Sequence, residues 1–366
     1  MRGVYIHIPF CKSICSYCDF CKFLYSPSWA GEYLKALERE IKEKYDNDEI
    51  KSIYIGGGTP SCLSKEEILN LFRIIKIFKI NSKCEITFEL NVDDISINLL
   101  EILKENGINR ISIGIQSFND INLKFMNRKH NKKEIKEKIK LAKNYFNNIN
   151  VDFMFALPIE NYSMFLSDLH EFINLNVPHL STYSLIIEEN TILSYKKIEP
   201  IKEELDYRMY KKICKSLNRK GYVHYEISNF AKPGYESVHN LNYWNNDEYY
   251  GFGLGAHGYI SELRYENTRA LNDYLEGNYR LKEFIISKRE DMENEIILGL
   301  RKINGINIKD FFDKFKINIQ DEFNITSLIK KGYLELEDNF LKIKEDKIYI
   351  MNEILNKILD KGEQNE

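Results

Sequence analysis

Four of the seven cysteines of the chain lie within eleven residues near its start, in the stretch "CKSICSYCDFC". Cys11, Cys15 and Cys18 have the spacing C-x3-C-x2-C, and Cys21 follows three residues later. In a reducing compartment, clustered thiols bind metals or do redox chemistry more often than they form structural disulfides. The spacing therefore indicates a chemical role for this stretch.

Three kinds of site are compatible with these thiols. A closed zinc site needs four firm ligands, usually as two pairs separated by a longer span. A redox-active pair could use Cys18 and Cys21, but it would leave Cys11 and Cys15 without a role. A cubane iron–sulfur cluster held by Cys11, Cys15 and Cys18 accounts for all three and leaves one iron open, as a catalytic metal site requires. The spacing favours the cluster and leaves zinc and unligated thiols as alternatives.

Six short apolar segments are predicted strands, at residues 4–8, 52–55, 84–90, 110–115, 150–156 and 179–185. Amphipathic helical segments alternate with them, near residues 30–45, 64–79, 96–106, 132–147 and 162–175. This alternation predicts right-handed βαβ crossovers and an α/β fold with a parallel sheet. Six units would form a partial (β/α)6 TIM-like barrel, although periodicity alone also allows an open doubly wound sheet. In both architectures the chemistry belongs at the carboxyl ends of the strands.

The pattern changes after about residue 185. A helix near 201–219 leads into a segment rich in Gly, Asn and Tyr, and the last part reads as helices followed by a hairpin. We therefore expect a barrel over 1–185, an α+β extension over 186–285 and a small winged-helix-like domain over 286–366. Phe311, Phe312 and Phe315 are candidate core residues of the last domain.

Composition and charge indicate the cellular compartment and the classes of partner to expect. The net charge of the 366 residues is −3, and the sequence has neither a long apolar run nor a secretory signal pattern. We therefore expect a cytoplasmic protein without a transmembrane segment. Residues 307–366 contain ten Lys, no Arg and thirteen Asp or Glu, so the winged-helix-like domain lacks the basic stripe that phosphate contacts need. Nucleic acid is not an expected partner.

The cysteine motif, with Tyr17 before Cys18, resembles the radical S-adenosylmethionine superfamily. The resemblance implies a [4Fe-4S] cluster on the three cysteines, an open iron that binds the methionine part of S-adenosylmethionine, and an electron donor for the cluster. "GGGTP" matches the glycine-rich turn of the superfamily, where a Cβ would block the approach of the ligand to the backbone. The implied contacts of S-adenosylmethionine are Tyr5, Tyr17, Gly57, Gly58, Thr59, Glu89, Gln116, Arg128 and Asp152.

Within the superfamily the chain resembles the oxygen-independent coproporphyrinogen dehydrogenase family and its relatives, the HemW-type heme chaperones. The dehydrogenases have an additional segment ahead of their cysteine motif and a further cysteine where this chain has Phe20. "HNLNYW" matches the chaperone signature H-N-x-x-Y-W, which is implicated in heme binding. The implied heme-binding residues are His239, Asn240, Tyr243 and Trp244. The alternative is a packed loop, and His7 and His257 are rival heme ligands.

The resemblance implies a heme chaperone that delivers heme to acceptor proteins such as respiratory enzymes. The alternative is an enzyme that oxidatively decarboxylates coproporphyrinogen III by radical chemistry, so the enzymatic status stays open. One departure concerns Cys21, because the chaperones usually have a polar residue at this position. A fourth thiolate there could occupy the open iron, but we expect Cys21 to lie off the cluster.

Overall fold

The computed structural model describes residues 1–360. Its strands are β1 (Arg2–Ile8), β2 (Phe10–Cys11), β3 (Phe23–Leu24), β4 (Glu49–Gly57), β5 (Lys79–Asn91), β6 (Arg110–Gln116), β7 (Asn148–Phe155), β8 (His179–Ser184), β9 (Val223–Glu226), β10 (Asn229–Ala231), β11 (Tyr249–Phe252), β12 (His257–Ile260), β13 (Leu263–Asn267), β14 (Arg280–Ile285), β15 (Ile306–Asn307), β16 (Leu334–Glu337) and β17 (Phe340–Ile343).

The α-helices are α1 (Pro27–Lys44), α2 (Lys65–Ile75), α3 (Ile97–Glu105), α4 (Asp120–Phe125), α5 (Lys132–Ala142), α6 (Tyr162–Asn174), α7 (Ile192–Tyr195), α8 (Glu203–Asn218), α9 (Val238–Trp244), α10 (Leu271–Glu276), α11 (Lys288–Gly299), α12 (Ile308–Phe315), α13 (Ile319–Glu322), α14 (Ile325–Lys330) and α15 (Met351–Leu359). Short 3-10 helices span Pro60–Cys62, Val92–Asp94 and Glu345–Ile350.

The main sheet has twelve strands in the order β14-β13-β12-β11-β1-β4-β5-β6-β7-β8-β10-β9. Its central strands β1, β4, β5, β6, β7 and β8 are parallel to one another, and α1, α2, α3, α5 and α6 lie in the connections between them. This arrangement confirms the predicted α/β fold with a partial barrel. The strands are buried runs of β-branched and apolar residues, as parallel strands covered by helices must be.

Local signals set the ends of several helices. Ser64 and Glu67 form a capping box at the start of α2, with the Ser64 side chain accepting from the Glu67 backbone N–H. Gly107 follows α3 with φ +86°, a backbone conformation in which glycine can end a helix. The helices that shape the barrel are therefore positioned by their own capping residues.

The region after residue 185 contributes strands to both ends of the same sheet. β11 is parallel to β1 and pairs with it, and β12 to β14 continue the sheet on that side. At the other end, β10 pairs with β8 and β9 pairs with β10, both antiparallel. The pairings of β11 with β1 and of β10 with β8 join residues that are far apart in sequence, so no local pattern could predict them.

Buried apolar side chains form two clusters, one running from Val4 to Tyr279 and one from Met292 to Ile358. The second surrounds the antiparallel sheet β15-β17-β16 and its helices, which is the arrangement expected for a winged-helix-like module. Phe311 and Phe315 are 2% and 4% exposed, but Phe312 is 42% exposed, so its assignment to the core is wrong. Phe311 and Phe315 are four residues apart on one face of α12, and Phe312 lies on another.

None of the helices described is both long enough and apolar enough to cross a membrane.

Candidate functional site

The cysteine stretch is a loop between β2 and β3 that is fastened to elements following other strands. The Ser16 backbone N–H donates to the Met126 carbonyl at 3.2 Å, and the Ser16 hydroxyl donates to the Phe125 carbonyl at 2.7 Å. The Leu193 N–H donates to the Ser16 carbonyl at 3.1 Å. The loop is therefore held at the carboxyl ends of the strands by residues that follow β6 and β8.

Within this loop, Cys11 is buried and Cys15 and Cys18 are half-buried. Burial raises the pKa of Cys11 to about 11, and the nearby thiols of Cys18 and Cys15 also raise it, while a hydrogen bond with Thr59 lowers it. The Cys11 sulfur lies 3.5 Å from the Thr59 hydroxyl. Because the pKa of Cys11 responds to Cys18 and Cys15, we call the three thiols electrostatic neighbours, and all of them are free of disulfide bonds.

Within residues 1–360, no three or more His, Cys, Asp or Glu side chains are grouped as ligands of a single metal ion. A zinc site needs ligands that converge on one point at about 2.0–2.3 Å. Thiolates that hold a cubane cluster each bind a different iron atom and stand farther apart. The described side chains thus show no preformed site for a single metal ion, and the thiols of Cys11, Cys15 and Cys18 are free.

Cys21 has different surroundings. Its sulfur lies 4.0 Å from the Arg269 carbonyl oxygen, and a Cβ built on Gly255 would lie 3.4 Å from that sulfur. Burial raises the pKa of Cys21, and the charges of Arg269 and Lys22 oppose this shift. Its backbone carbonyl lies 2.8 Å from Nε2 of His7. The Cys21 thiol therefore packs against residues that follow β11 and β13.

The glycine-rich turn after β4 packs tightly against the start of the cysteine loop. Gly57 has φ +113°, and a Cβ on it would lie 2.5 Å from the His7 ring. A Cβ on Gly58 would lie 2.7 Å from the Phe10 carbonyl oxygen. The Thr59 N–H donates to that same oxygen at 2.7 Å. Only glycine fits at Gly57 and Gly58, as expected of a turn that brings its backbone close to a neighbour or ligand.

Glu89, on β5, is hydrogen-bonded directly to this turn. Its Oε1 accepts from the Tyr54 hydroxyl at 2.7 Å, and its Oε2 accepts from the Gly57 N–H at 3.1 Å. Burial raises the pKa of Glu89 to about 7 and the Asp152 charge adds to this, while the two hydrogen bonds act in the opposite direction. Tyr5 pairs in register with Tyr54, and their rings are 6.2 Å apart.

Arg128 supplies a positive charge at the same end of the sheet. Its Nη1 donates to Oδ1 of Asn91 at 2.8 Å, and its Nη2 donates to the Tyr17 hydroxyl at 3.3 Å. The Asn91 amide in turn donates to the Thr59 hydroxyl at 3.1 Å. Nε of Arg128 is buried without a hydrogen-bond partner in the described part of the chain. Near the three thiols, a half-buried guanidinium with one unpaired N–H fits the carboxylate of an amino-acid-like cofactor.

Gln116 and Asp152 complete the predicted set. Gln116 ends β6 with φ +73°, a costly conformation for a residue with a side chain and one that is common at functional sites. A Cβ on Gly114 would lie 2.9 Å from Nε2 of Gln116 and 3.0 Å from Nη2 of Arg128. Asp152 accepts a hydrogen bond from Asn150 at 2.9 Å, and burial raises its pKa. The side chains of Gln116 and Arg128 thus converge over Gly114, the register partner of Asp152.

Tyr54 and Asn91 belong to this network, but neither is among the site residues predicted from the sequence. Tyr54 binds Glu89, and Asn91 connects Thr59 with Arg128. Asn91 lies two residues after Glu89, so the alternation of a strand places both on one face and could have identified it. Tyr54 could not be found in this way because its role depends on the pairing of β4 with β5.

His239 lies in the first turn of α9 and is 1% exposed. Its Nδ1 is 3.0 Å from the Ser52 hydroxyl, and its Nε2 is 2.9 Å from the Tyr243 hydroxyl. Burial lowers its pKa to about 3, so the ring is neutral at neutral pH. The ring lies against Tyr54, with 5.2 Å between ring centres and 30° between planes. Tyr54 therefore contacts both Glu89 and His239.

Asn242 of the "HNLNYW" motif is also buried, and the other four residues are half-buried. The Tyr243 ring meets the Tyr249 ring edge-on at 4.5 Å, and the guanidinium of Arg301 lies 5.6 Å from the centre of the Trp244 ring. The segment is a helix, which differs from the packed loop considered as an alternative. Ser237 caps this helix by accepting from the Asn240 N–H at 3.2 Å.

The two rival histidines are placed differently. His7 is 3% exposed, and its ring nitrogens lie 3.0 Å from the Tyr5 hydroxyl and 2.8 Å from the Cys21 carbonyl. His257 is exposed and lies 3.8 Å from Glu266. His7 is thus a core histidine with both nitrogens bonded, and His257 is a surface residue on β12.

Comparison with known proteins gives matches along nearly the whole chain. Residues 5–172 match the family described as the radical SAM superfamily, and residues 286–346 match the HemN C-terminal domain. The protein named heme chaperone HemW from Lactococcus lactis is 36% identical over 369 residues, which cover 98% of this chain and 97% of that one. The protein of the same name from Bacillus subtilis is 35% identical over 376 residues, which cover 98% and 99%.

Among solved structures, the coproporphyrinogen III oxidase HemN from Escherichia coli, a radical SAM enzyme, superimposes with a TM-score of 0.86. The alignment covers 97% of this chain and 89% of that one at 22% sequence identity. At this identity the likeness establishes the fold alone, including the partial barrel and the smaller C-terminal module.

Proposed function

The chain belongs to the HemW family within the radical SAM superfamily, and we propose that it is a heme chaperone that holds a [4Fe-4S] cluster, binds S-adenosylmethionine and delivers heme to acceptor proteins. The observation that carries the proposal is the similarity to proteins named heme chaperone HemW over 98% of the chain. The mouth of the barrel provides independent support, because the thiols, the glycine turn and the buried polar residues lie there together.

We assign the cluster to Cys11, Cys15 and Cys18, and we place Cys21 outside it. The free thiols of the three cysteines are electrostatic neighbours, whereas the Cys21 thiol packs against Arg269 and Gly255. When bound, the cluster and S-adenosylmethionine supply low-potential electron transfer to a sulfonium. An electron donor of unknown identity would reduce the cluster.

We assign S-adenosylmethionine to the residues around the glycine turn. The unpaired Nε of Arg128 fits the cofactor carboxylate, and the open backbone of Gly57 and Gly58 allows its methionine part to approach. Glu89 and Asp152 are carboxyl groups that can accept hydrogen bonds from ribose or amino groups. The remaining proposed contacts are Tyr5, Tyr17, Thr59 and Gln116.

The "HNLNYW" motif is the proposed heme site of the family type, with His239, Asn240, Tyr243 and Trp244. A neutral imidazole can ligate heme iron, and flat aromatic side chains can cover a porphyrin face. Both ring nitrogens of His239 are hydrogen-bonded in this structure. Iron ligation by Nε2 therefore requires the Tyr243 hydroxyl to move away. We also propose that the chain divides into three domains, at residues 1–185, 186–285 and 286–366.

The proposal is tested by heme titration of the full chain after anaerobic cluster reconstitution. We expect a Soret difference band that saturates at a fixed ratio of heme to protein, and transfer of the bound heme to an added apoprotein such as apomyoglobin. His239→Ala should change the band, while His257→Ala, at an exposed histidine, should leave it unchanged. Absence of heme binding by the unmodified chain would overturn the chaperone assignment. A normal band in His239→Ala would remove only the ligand assignment.

A further inference from the structure

A deep groove outside the barrel mouth is not used by the proposed function. It has a volume of about 1320 Å³ and lies between α8 on one side and residues 335 to 349 of the C-terminal module on the other. Sites for small ligands usually have volumes of about 300–1,000 Å³, so the groove is large enough for a macrocycle. Its two walls belong to the two different buried apolar clusters of the chain.

Three tyrosines form the aromatic part of the groove. Tyr207 and Tyr210 line it from α8, and Tyr349 lines it from the opposite wall. The Tyr349 ring centre is 4.9 Å from that of Tyr207 and 5.7 Å from that of Tyr210. The three rings are half-buried and mutually tilted, so they offer aromatic surface to a planar apolar ligand.

The rim of the groove carries an excess of positive charge. Six Lys or Arg and four Asp or Glu line the groove, and two of these carboxylates are paired with lysines outside the lining: Glu335 with Lys342 at 3.5 Å and Asp346 with Lys347 at 3.0 Å. On the α8 side, Lys211 and Lys215 are one helical turn apart. The other cations of this side are Arg208, Lys212 and Arg219, the residue that follows the helix. This distribution suits a ligand with carboxylate groups beside an apolar body.

His224, on β9, adds a potential iron ligand to the lining. Its Nε2 lies 3.2 Å from the Ile227 carbonyl oxygen, and its ring stacks on Phe230 at 4.2 Å. A second partner of this kind fixes the ring orientation of metal-binding histidines. Burial lowers the pKa of His224 to about 4, so the imidazole is neutral at neutral pH.

We propose that this groove is a second binding site for an iron porphyrin, with the macrocycle against Tyr207, Tyr210 and Tyr349, the propionates at the α8 cations and His224 at the iron. The inference rests on the proposed function, because that function makes heme the ligand. Unlike His239, which is 1% exposed, His224 is partly exposed in the groove. The groove can therefore receive heme without any rearrangement of α9.

β9 connects the groove with the "HNLNYW" helix. His224 lines the groove, and the adjacent Tyr225 lies at the start of α9, where its hydroxyl accepts from the Ser237 N–H at 3.3 Å. Ser237 is the residue that caps α9. His224 and Tyr225 thus link the groove to the start of the helix that carries His239.

The test measures the affinity of the full, reconstituted chain for hemin and for iron-free protoporphyrin IX. Lys211→Glu combined with Lys215→Glu changes two exposed residues of α8, and the matched control reverses Lys133 and Lys140, two exposed residues of α5. The groove variant should bind both porphyrins at least about tenfold more weakly, a loss of about 1.4 kcal/mol, and the control should bind normally. His224→Ala should alter the hemin spectrum while protoporphyrin binding persists.

The outcomes separate this inference from the proposed function. Weakened binding in the groove variant, with most of the affinity retained in His239→Ala, supports a second site. If the groove variants bind hemin normally while His239→Ala does not, the groove assignment is overturned and the chaperone function stands. Normal hemin affinity with lost transfer to an acceptor protein would also overturn it, because the groove would then contact protein. If the unmodified chain binds no porphyrin, both proposals fail.

Discussion

At the scale of single residues, the four clustered cysteines divide into two groups. The Cys11 thiol is under the electrostatic influence of Cys15 and Cys18, while the Cys21 thiol contacts the Arg269 carbonyl and packs by Gly255. This difference comes from the path of the loop after β2, which is fixed by hydrogen bonds to residues that follow β6 and β8. The four thiols have the same chemistry, but the surroundings of Cys21 differ from those of the other three.

Serine substitution should reveal this division. Cys11→Ser, Cys15→Ser and Cys18→Ser should each lose most of the bound iron and sulfide, because a cubane cluster needs three thiolates from the protein when one iron is open. Cys21→Ser should retain iron and sulfide near the level of the unmodified chain. The measurement is iron and sulfide content after anaerobic reconstitution. Loss of the cluster in Cys21→Ser alone would contradict the assignment.

Glu89 gives the site a dependence on pH. The Tyr54 hydroxyl stabilises the ionised form of Glu89, so Tyr54→Phe should raise the pKa of Glu89 above its value of about 7. A hydrogen bond to a charged group contributes about 1.5–3 kcal/mol, which corresponds to an upward shift of about one to two pH units. We expect the pH profile of S-adenosylmethionine affinity, measured by equilibrium dialysis, to move upward.

The matched control for Tyr54→Phe is Tyr25→Phe. Tyr25 donates to Glu67 at 2.8 Å, so the same two groups are hydrogen-bonded, but Glu67 lies in the first turn of α2, away from the glycine turn. Its substitution should leave the pH profile unchanged. If the pH profile of Tyr54→Phe coincides with that of the unmodified chain, the ionisation of Glu89 does not control the affinity for S-adenosylmethionine.

Individual site residues differ in how well the sequence could predict them. The spacing of Cys11, Cys15 and Cys18 indicates a shared ligand without any knowledge of the fold. Tyr54 acquires its role only through the pairing of β4 with β5, and the Cys21 thiol is separated only by its contacts with Arg269 and Gly255. Such roles depend on register and loop path, which a single sequence does not specify.

At the scale of elements, the turn after β4 is the feature most constrained by sterics. Gly57 combines φ +113° with a Cβ position 2.5 Å from the His7 ring. Gly57→Ala should destabilise the fold by about 1–3 kcal/mol and weaken S-adenosylmethionine binding. Gly31→Ala is the control, because Gly31 lies in α1 with open space around its Cβ position.

The control should change stability in the opposite direction. Alanine is favoured over glycine inside a helix by about 0.5–1 kcal/mol, so Gly31→Ala should raise the free energy of unfolding and leave cofactor binding unaffected. Both variants are compared by chemical denaturation and equilibrium dialysis. Equal behaviour of the two variants would contradict the steric role of Gly57.

The six central strands and the five longer helices between them could be predicted because each carries a local pattern, whereas β2, β3 and α4 were not predicted. The strands are compact apolar runs, and Ser64 with Glu67 marks the start of α2. In contrast, α9 has a sequence rich in Asn and aromatic residues, which are weak helix formers. Its helix is supported by tertiary contacts, including the bond from the His239 N–H to Glu85 at 3.1 Å. Sequence patterns cannot show support of this kind.

At the scale of the whole molecule, one sheet connects the site to both of its flanking regions. The residues at the mouth come from five parallel strands that are distant in sequence, and β11 adds the "HNLNYW" region beside β1. Parallel pairing brings the carboxyl ends of all these strands to one edge. The location of the site could therefore be predicted from the fold class, but the place of the extension could not.

The global stability should depend on a buried carboxyl outside the site. Glu160 is 4% exposed, accepts from Asn122 at 3.1 Å, and has a pKa raised to about 8 by burial and by the nearby Asp168. Because this pKa exceeds the unfolded value, its stabilising contribution is complete below about pH 4.5 and is lost as the pH rises through about 8. Glu160→Gln removes the charge, so its stability relative to the unmodified chain should increase by about 4 kcal/mol between pH 5 and pH 9.

The measurement is the free energy of unfolding of both chains at the two pH values. Glu137→Gln serves as the control, since the Glu137 side chain is 64% exposed on α5 and should show no such change. A Glu160→Gln variant whose relative stability is the same at both pH values would contradict the buried, protonated state of this residue.

The chaperone assignment is tested most directly by the porphyrin products of one anaerobic reaction. The cluster-loaded chain is incubated with S-adenosylmethionine, a reductant, heme and coproporphyrinogen III, and the porphyrins are separated by chromatography. We predict that heme is recovered bound to the protein and that coproporphyrinogen III is unchanged. Accumulation of protoporphyrinogen with no retained heme would contradict the assignment and identify the chain as a decarboxylating enzyme.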